Sequence, residues 1–570
     1  MRQLTAHRLQ AARVTAHRRG AVGRRGAAVL TAAVLAGSLW AVSPPQPALA
    51  ATPEPVGAIG TTSGTSARSY GRLHLDTVTI PQLQARMAAG ALTPSELTRA
   101  YLKRIRALDP KIHAVLRTDP SALRQAAASD ARHRTGSVRG PLDGIPVLIK
   151  DNVETWGLSS TAGSLALAGS PPKSDAALVT RLRRAGAVIL GKTNLSEWAN
   201  FRAQKPTSGW SAVGGQTHNP YVLDRNPCGS SAGSGAALAA SLAQVAIGTE
   251  TDGSIVCPAG MNGVVGLKPT LGLVSARGVV PISAEQDTAG PMARNVVDVA
   301  LTLAVIAGRP PGAGAPDTTD AGFVTGAAGR AIGSYGVGTL RGKRIGLWRL
   351  PSLGQAVDDV MTRAARRLRA AGAEVVEVTP PYQDRLATLE FPALLTEFHR
   401  DIDAYLATRK GPRDLAALIA FNRGHPAERT CFAGQELFRQ ALAAPPTTDP
   451  GYRAKRAELR DLSRRSIDGT MAAHHLDAIA APTNPPAWTT DCARGDNDVI
   501  PSSTPAAVAG YPSLSVPAGS AGGLPVGMLL TAGAHQDAAL LSLGAAVERR
   551  LHAWRAPRYL PTTGPGTAER

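Results

Sequence analysis

The sequence predicts an α/β fold: a single large domain with a central mixed, twisted β-sheet, helices on both faces and a helical cap on its N-terminal side. Short apolar runs at residues 145–149, 187–190 and 245–248 alternate with helical segments, as the strands of a covered sheet do. Hydrophobic residues make up 44% of the chain and charged residues 18%, which is typical of a globular protein with a substantial core.

The first fifty residues are typical of an export signal. They contain seven arginines and no acidic residue, an uncharged run of small residues at 26–42, and an Ala-Leu-Ala cleavage site that ends at Ala50. Two Arg-Arg pairs before the run permit twin-arginine export, and the Sec route stays open. We therefore expect a secreted protein that is cleaved after Ala50 and keeps no stable membrane insertion; an uncleaved anchor is the alternative.

The net charge of +20 does not indicate a nucleic-acid partner. Without the arginines of the first fifty residues, 55 basic and 42 acidic side chains remain, a net charge of +13 that is spread along the chain. A nucleic-acid groove normally needs a focused basic stripe, often with aromatic stacking platforms. Aromatic residues make up only 4% of this chain.

The rest of the chain divides into three parts. Residues 51–74 are rich in Pro, Gly, Ser and Thr and are expected to be flexible. The folded domain is expected at 75–555, and a disordered tail at 556–570.

Within the domain the period of the apolar residues changes after residue 140. Over 79–132 the period is helical and predicts an all-helical cap, with a helix start at Thr93 and Pro94. Further along, strands and helices alternate. The expected segments are helices at 175–185 and 355–371, strands at 344–348, 374–378, 478–480 and 514–516, further alternation at 236–243 and 295–306, and a surface excursion at 308–340.

Two loops rich in Gly and Ser are the most unusual part of the sequence. Residues 228–235 read CGSSAGSG, residues 248–255 read GTETDGSI, and one helical segment and one strand lie between them. Two loops so connected must lie close together in a compact α/β unit. Their glycines let backbone N–H groups point into a common space, which a reaction that passes through an oxyanion requires.

Other motifs compete for the same residues. The Walker spacing GxxxxGK[ST] is absent. Residues 229–233 match G-x-S-x-G with Ser231 as the nucleophile, but the preceding segment lies between two prolines and makes a poor strand, and the candidate base His535 stands alone. Ser170 and Lys173 match S-x-x-K, but the two prolines between them disfavour the helix that this motif needs.

Taken together, the motifs resemble those of the amidase-signature hydrolases. The matching blocks stand in the family's order and cover roughly residues 75–550. They are PLDGIPVLIKDN at 141–152, GKTNLSE at 191–197, the two loops above, GLKPT at 266–270 and DTAGPMAR at 287–294.

The resemblance implies three catalytic residues. Ser254 attacks the amide carbonyl, Ser230 follows a cis peptide bond and passes the proton, and Lys150 accepts it. The separation of 24 residues between the two serines matches the family. No cofactor or metal is implied, and no Cys or His spacing in the chain resembles a metal site.

The resemblance also implies residues that assist these three. The backbone N–H groups of Thr251, Asp252 and Gly253, together with that of Ser254, form the oxyanion hole. Ser231 supports the pair of serines without a catalytic role of its own.

The residue types fit this chemistry independently of the family resemblance. Serine is a weak nucleophile that needs an adjacent base, and lysine serves as a base only when burial lowers its pKa. The apolar run at 145–149 is compatible with a buried Lys150. The alternative is a surface lysine that pairs with Asp151.

The sequence departs from the commoner family pattern at the nucleophile, with E-T-D-G-S in place of D-T-G-G-S. Asp252 therefore replaces a glycine; Asp tolerates left-handed backbone, and the N–H donors do not depend on its side chain. This variant resembles bacterial peptide amidases. Val256 and Cys257 stand where some relatives carry an arginine for a substrate carboxylate, so a neutral or C-terminally amidated substrate is expected.

The four cysteines leave two interpretations open. Cys228 and Cys257 each lie within three residues of a proposed catalytic serine, and either bridge or remain two small buried thiols. Cys431 and Cys492 are a comparable second pair.

The predicted function is hydrolysis of a carboxamide to a carboxylic acid and ammonia or an amine, on a small-molecule or peptide amide. The alternatives are an aryl or aliphatic acylamidase, an inactive binding relative, and the amidotransferase subunit of a tRNA-dependent complex. The export signal disfavours the last of these, because the partners of that subunit are cytoplasmic.

Overall fold

A mixed sheet of eleven strands organises the part of the chain that the structure describes. A computed structural model describes residues 73–307, 340–431, 434–497 and 501–563. The strands are β1 (Val115–Thr118), β2 (Pro146–Lys150), β3 (Val188–Thr193), β4 (Trp210–Ser211), β5 (Gly215–Gln216), β6 (Val245–Glu250), β7 (Val265–Lys268), β8 (Thr288–Ala293), β9 (Arg344–Trp348), β10 (Glu374–Val378), β11 (Ala478–Pro482), β12 (Ser513–Ala521) and β13 (Leu524–Thr531).

The sheet combines parallel and antiparallel pairs. Its order is β1-β3-β2-β6-β8-β7-β12-β13-β11-β9-β10, and β4 and β5 form a separate two-stranded sheet. Strand β2 runs parallel to both β3 and β6, and β9 runs parallel to both β10 and β11. The other neighbours are antiparallel. The predicted mixed α/β sheet is confirmed.

Two groups of helices cover this sheet. The helices are α1 (Ile80–Ala88), α2 (Pro94–Ile112), α3 (Ala122–Arg134), α4 (Leu165–Ala168), α5 (Ala177–Arg184), α6 (Ala232–Ala239), α7 (Val256–Met261), α8 (Val296–Ile306), α9 (Gln355–Ala370), α10 (Gln383–Leu406), α11 (Leu415–Gly424), α12 (Glu436–Ala443), α13 (Pro450–Ala473), α14 (Thr504–Ala509) and α15 (Asp537–Leu551). Helices α6 and α7 contact each other and the central strands, whereas α5, α8, α15 and α9 contact one another in succession. Helices α10 to α13 pack together as a separate helical group.

The N-terminal cap is not the all-helical unit that the sequence predicted. Helices α1, α2 and α3 form as expected, but β1 lies between α2 and α3 and pairs with β3 at the edge of the sheet. The carboxylate of Asp109 accepts the N–H groups of Ala114 and Val115 and turns the chain into this strand. The sequence of β1 is Val-Leu-Arg-Thr, which is neither a continuous apolar run nor an alternation of apolar and polar residues, so no strand pattern marks it.

Most predicted strands form within a residue or two of their expected bounds, but besides β1 the sheet strands β7 and β13 were missed, and so was β8. It lies between β6 and β7 and contains Pro291, opposite Ile247. Proline is rare in central strands because it cannot donate a ladder hydrogen bond. A proline therefore conceals a central strand from sequence analysis here.

The chain stays ordered beyond the predicted domain end. Leu560 forms a parallel bridge with Val222, and its carbonyl accepts the N–H of Leu223 at 2.7 Å. Arg225 donates to the hydroxyl of Thr563 at 2.7 Å. The tail predicted at 556–570 is thus bonded through residue 563.

The export signal, nearly all of the flexible segment and nearly all of the 308–340 excursion lie outside the described residues. Among the helices that the structure describes, none is long and apolar enough to cross a membrane.

Candidate active site

Strand β2 ends at Lys150, whose ammonium group is fully buried. Its Nζ atom lies 2.8 Å from the hydroxyl of Ser230 and 2.8 Å from that of Thr249, and 3.2 Å from the Thr249 carbonyl. The hydroxyl of Thr249 also accepts a hydrogen bond from Asn152 at 2.9 Å. Lys150 is therefore enclosed by hydroxyl and carbonyl groups, and it is not the surface lysine of the alternative interpretation.

Burial lowers the pKa of Lys150 to about 7, and the negative charges of Glu250 and Asp287 oppose this shift. A lysine with such a pKa is largely neutral in mildly alkaline solution, and a neutral amine can accept a proton. The apolar strand supplies the burial, as its sequence suggested.

Ser230 lies in a tightly packed loop that leads into α6. The peptide bond between Gly229 and Ser230 is cis, as the resemblance implied, and Cys228 has a positive φ of 57°. A Cβ atom at Gly229 would collide with the side chain of Ser196, so glycine is needed there. The next residue, Ser231, is buried and donates its hydroxyl to the Thr249 carbonyl at 3.1 Å.

Ser254 lies in a turn between β6 and α7, and it is 9% exposed. Its carbonyl accepts the N–H of Ser231 at 3.1 Å, which links the two loops through the backbone. Its hydroxyl makes no hydrogen bond to any residue that the structure describes, including Ser230. The structure therefore brings the two serines into linked loops and joins only Ser230 directly to Lys150.

The backbone N–H groups of residues 251–254 have no acceptor among the described residues, so they are free to receive an oxyanion. Gly253 takes the left-handed conformation of this turn, with a φ of 77°. Asp252 does not have a positive φ, so its tolerance of left-handed backbone is not used. Its carboxylate instead contacts residues outside the turn.

Two acidic residues that the sequence analysis did not single out brace this turn. A carboxylate oxygen of Glu250 accepts the N–H groups of Ile255 and Val256 at 2.7 and 3.0 Å, closing the turn at its base. The carboxyl group of Asp287 accepts the hydroxyl of Thr251 at 2.5 Å, and burial raises its pKa to about 7. Both residues lie inside motifs that carry the family resemblance.

A small cavity of about 10 Å³ adjoins Ser230, and this is about the room that one water molecule needs. Its lining includes the apolar residues Val280 and Ile282 and the polar residues Thr249 and Asp287. A larger cavity of about 690 Å³ lies elsewhere, beside Tyr221, Arg363 and Trp554, and contains none of the predicted site residues.

Both cysteine pairs whose bonding the sequence left undecided are disulfide bonds in the structure. Cys228 joins Cys257 with a Cα–Cα distance of 6.0 Å, and Cys431 joins Cys492 with a distance of 4.8 Å. The first bridge ties the loop of Ser230 to the helix that follows Ser254. It therefore holds the two proposed catalytic serines in one unit.

The competing arrangements do not form. Residues 217–230, directly before Ser231, contain no strand, and His535 is exposed in a loop far along the chain. Asp151 faces Lys192, with 3.7 Å between Nζ and a carboxylate oxygen, and not Lys150. Within the described residues, no group of three His, Cys, Asp or Glu side chains is arranged to hold a metal ion.

Comparison with known proteins agrees with this geometry. The amidase family matches residues 96–541. The chain belongs to the amidase family. A probable amidase from Arabidopsis thaliana is 37% identical over 87% of this chain and 94% of its own length. A glutamyl-tRNA(Gln) amidotransferase subunit from Roseiflexus castenholzii is 37% identical over 83% of this chain and 95% of its own length.

Among solved structures, the native peptide amidase from Stenotrophomonas maltophilia is 49% identical, with a TM-score of 0.79 over 84% of this chain and 98% of that one. A structure of the peptide amidase PAM with the competitive inhibitor chymostatin has a TM-score of 0.80 at the same identity, over 84% of this chain and 99% of that one. This amidase is accordingly an amide-hydrolysing enzyme.

Proposed function

We propose that this amidase hydrolyses the C-terminal carboxamide of peptides through an acyl-enzyme on Ser254. Ser230 relays the proton, Lys150 is the base, and the N–H groups of residues 251–254 are the oxyanion hole. The observation that carries the proposal is the 2.8 Å contact between Ser230 and the buried Lys150, beside a turn whose N–H groups have no acceptor among the described residues.

The proton path follows from this arrangement. Neutral Nζ of Lys150 accepts the proton of the Ser230 hydroxyl, which takes the proton of Ser254 as the Ser254 oxygen attacks the carbonyl carbon. The oxyanion is stabilised by the turn. When the tetrahedral intermediate collapses, the proton returns through Ser230 to the leaving nitrogen, and ammonia departs. Water then adds to the acyl-enzyme by the same path and releases the acid.

The peptide-amide substrate is supported by the 49% identity to peptide amidase and by the wall of the site. The apolar residues Val280 and Ile282 belong to the same cluster as Phe201. Phe391, whose ring centroid lies 6.3 Å from that of Phe201, is 41% exposed. Val256 and Cys257 stand where some relatives carry an arginine for a substrate carboxylate, and neither of them is cationic.

A panel of peptide amides, aliphatic amides and anilides tests the proposal through ammonia or amine release. We expect peptide amides to be hydrolysed fastest, and the activity to disappear in Ser254→Ala and Lys150→Ala. Ser231→Ala is the matched serine control and should retain measurable turnover. If Ser231→Ala lost all activity while Ser254→Ala kept it, the assignment of the nucleophile would be wrong.

A second candidate is an amidotransferase subunit, because several relatives of that type match over most of this chain. Such a subunit would act as part of a tRNA-dependent complex. Hydrolysis of peptide amides by the purified chain alone, without added tRNA or partner proteins, excludes this candidate.

We also infer that the protein is exported and cleaved after Ala50. The inference is supported by the arginine-rich first fifty residues and by two disulfide bonds, which persist in oxidising compartments. N-terminal sequencing of the protein from culture supernatant should begin at Ala51. Retention of the intact N-terminus in a membrane fraction would instead indicate an anchor.

A further inference from the structure

The oxyanion turn carries a carboxyl group that meets a second carboxyl group. The side chains of Asp252 and Glu390 of helix α10 lie within hydrogen-bonding reach of each other, and Gln286 Nε2 donates both to Glu390 at 2.8 Å and to the Thr251 carbonyl of the turn at 3.4 Å. Two ionised carboxylates have only acceptor oxygens, so a hydrogen bond between them requires a proton on one of the two. The turn that would hold the substrate oxyanion is thus connected to the helical group through a shared proton.

The surroundings place this proton on Glu390. The Asp252 carboxylate accepts the hydroxyls of Ser503 and Thr504 at 2.5 and 2.6 Å, and these donors favour its ionised form. Glu390 is only 9% exposed, and it accepts a single neutral amide donor, Gln286 Nε2, at 2.8 Å. Burial and the charge of Asp252 raise the pKa of Glu390 well above its ordinary value.

Other charged groups reach the pair from each neighbouring element. Arg456 of α13 acts on Glu390 and also donates to Gln286 at 2.8 Å. Lys268 of β7 acts on Asp252, and Glu250 of β6 adds a like charge. The cations favour loss of the proton and the carboxylates oppose it, but burial is the largest cause of the shift for both members of the pair.

We propose that Glu390 is a positioning residue of the amidase reaction: it donates a hydrogen bond to Asp252 and thereby fixes the turn at residues 251–254. This rests on the proposed oxyanion hole. When the proton leaves as the pH rises, two negative charges face each other across this contact and displace the turn. Turnover then falls at high pH, while neutral Lys150 sets the rise at low pH, and the profile is bell-shaped.

The decisive variant is Glu390→Gln. The glutamine amide matches the carboxyl group in shape and donates to Asp252 at every pH. We expect kcat near pH 7 to stay within about threefold of the wild type and the alkaline decline to vanish. Glu390→Ala should lower kcat about tenfold or more with a smaller change in KM, since misplaced oxyanion donors cost turnover first.

The matched control is Glu397→Gln, which removes a buried carboxyl group from the same helix without touching Asp252. It should keep the alkaline decline, whatever its absolute rate. If Glu390→Gln does not fold, Asp252→Asn provides the second test, because asparagine can donate to ionised Glu390 and should also remove the decline.

A measurement of stability separates this proposal from the proposed function. The folded state binds the Glu390 proton more tightly than the unfolded state, whose pKa is about 4.3. The resulting stabilisation is therefore complete at low pH and is lost as the pH rises towards the folded pKa. The melting temperature should fall more steeply with pH for the wild type than for Glu390→Gln, even in the absence of any amide substrate.

A wild-type enzyme that hydrolyses no amide would contradict the proposed function and leave this stability measurement as the test of the pair. The positioning role is overturned if the wild type shows no alkaline decline in turnover, or if Glu390→Gln declines as the wild type does. Equal pH slopes of the melting temperature would contradict the shared proton itself.

Discussion

Strands β2 and β3 lie side by side, and each carries a lysine whose side chain is fully buried, yet the two lysines have different surroundings. Lys150 faces the hydroxyls of Ser230 and Thr249. Lys192 faces the carboxylate of Asp151 at 3.7 Å and donates to the hydroxyl of Ser160 at 2.9 Å. The same residue type, at equal depth, is thus set in a hydroxyl site and in an ion pair.

The neighbouring groups, and not burial alone, decide what a buried lysine can do. Burial lowers the pKa of both, to about 7 for Lys150 and to about 8 for Lys192. For Lys192 the charge of Asp151 is the strongest effect that opposes this lowering of the pKa, and it favours the protonated ammonium form. Lys150 has no carboxylate in contact among the described residues, so it can give up its proton and act as a base.

The largest expected effect comes from removing the base. Lys150→Met keeps the volume of the side chain and cannot accept a proton, so kcat should fall by about 10³-fold, within the usual range for general acid–base catalysis. Ammonia release from a peptide amide measures the loss, and circular dichroism checks the fold. Retention of more than a tenth of the wild-type kcat would contradict the role of Lys150.

Lys192→Met should act on stability. It leaves Asp151 charged, buried and without its cation, and breaking a buried pair in this way costs about 3–5 kcal/mol. Urea unfolding measures the loss, and the double variant Lys192→Met with Asp151→Asn should recover part of it. If the single variant were as stable as the wild type, Lys192 would not be held as an ion pair.

The two disulfides should affect activity differently, because only Cys228–Cys257 lies in the loop of Ser230, the partner of Lys150. Replacing either pair by serines should lower the free energy of unfolding by about 2–4 kcal/mol. Loss of Cys228–Cys257 should also lower kcat, whereas loss of Cys431–Cys492 should leave it nearly unchanged. Similar kcat values for the two variants would show that the first bridge does not position Ser230.

The smallest expected effect is a shift in pH dependence. In the proposed mechanism neutral Lys150 is the active form, so kcat/KM should rise with pH and reach half its maximum near pH 7. The charge of Glu250 raises the pKa of Lys150, and Glu250→Gln should therefore move this midpoint to lower pH, by less than about one unit. A midpoint that stays in place or moves upward contradicts this electrostatic link.

Local pattern was sufficient to predict much of the sheet, whereas the proposed catalytic residues were inferred from the family resemblance. The apolar runs predicted β2, β9 and β10 almost to the residue, and the linked serine loops predicted the neighbourhood of Ser230 and Ser254. It could not predict β8, because Pro291 contradicts the usual composition of a central strand.

Residues that act through tertiary contacts were beyond the sequence pattern. Glu390 lies 138 positions from Asp252 in an ordinary amphipathic helix, and nothing in its local sequence separates it from solvated glutamates. The role of Asp151 was likewise ambiguous, because only the fold shows that Lys192 and not Lys150 is its partner. Burial and long-range pairing decide such questions.

The bridge between Val222 and Leu560 limits when this part of the chain can fold during synthesis. The segment that leads into the Ser230 loop is secured by residues that follow it by more than three hundred positions, as the bond from Arg225 to Thr563 spans 338. A ribosome must therefore synthesise and release the chain through this late segment before these contacts can close. The contacts around the Ser230 loop are thus completed only after the proposed catalytic residues have all been synthesised.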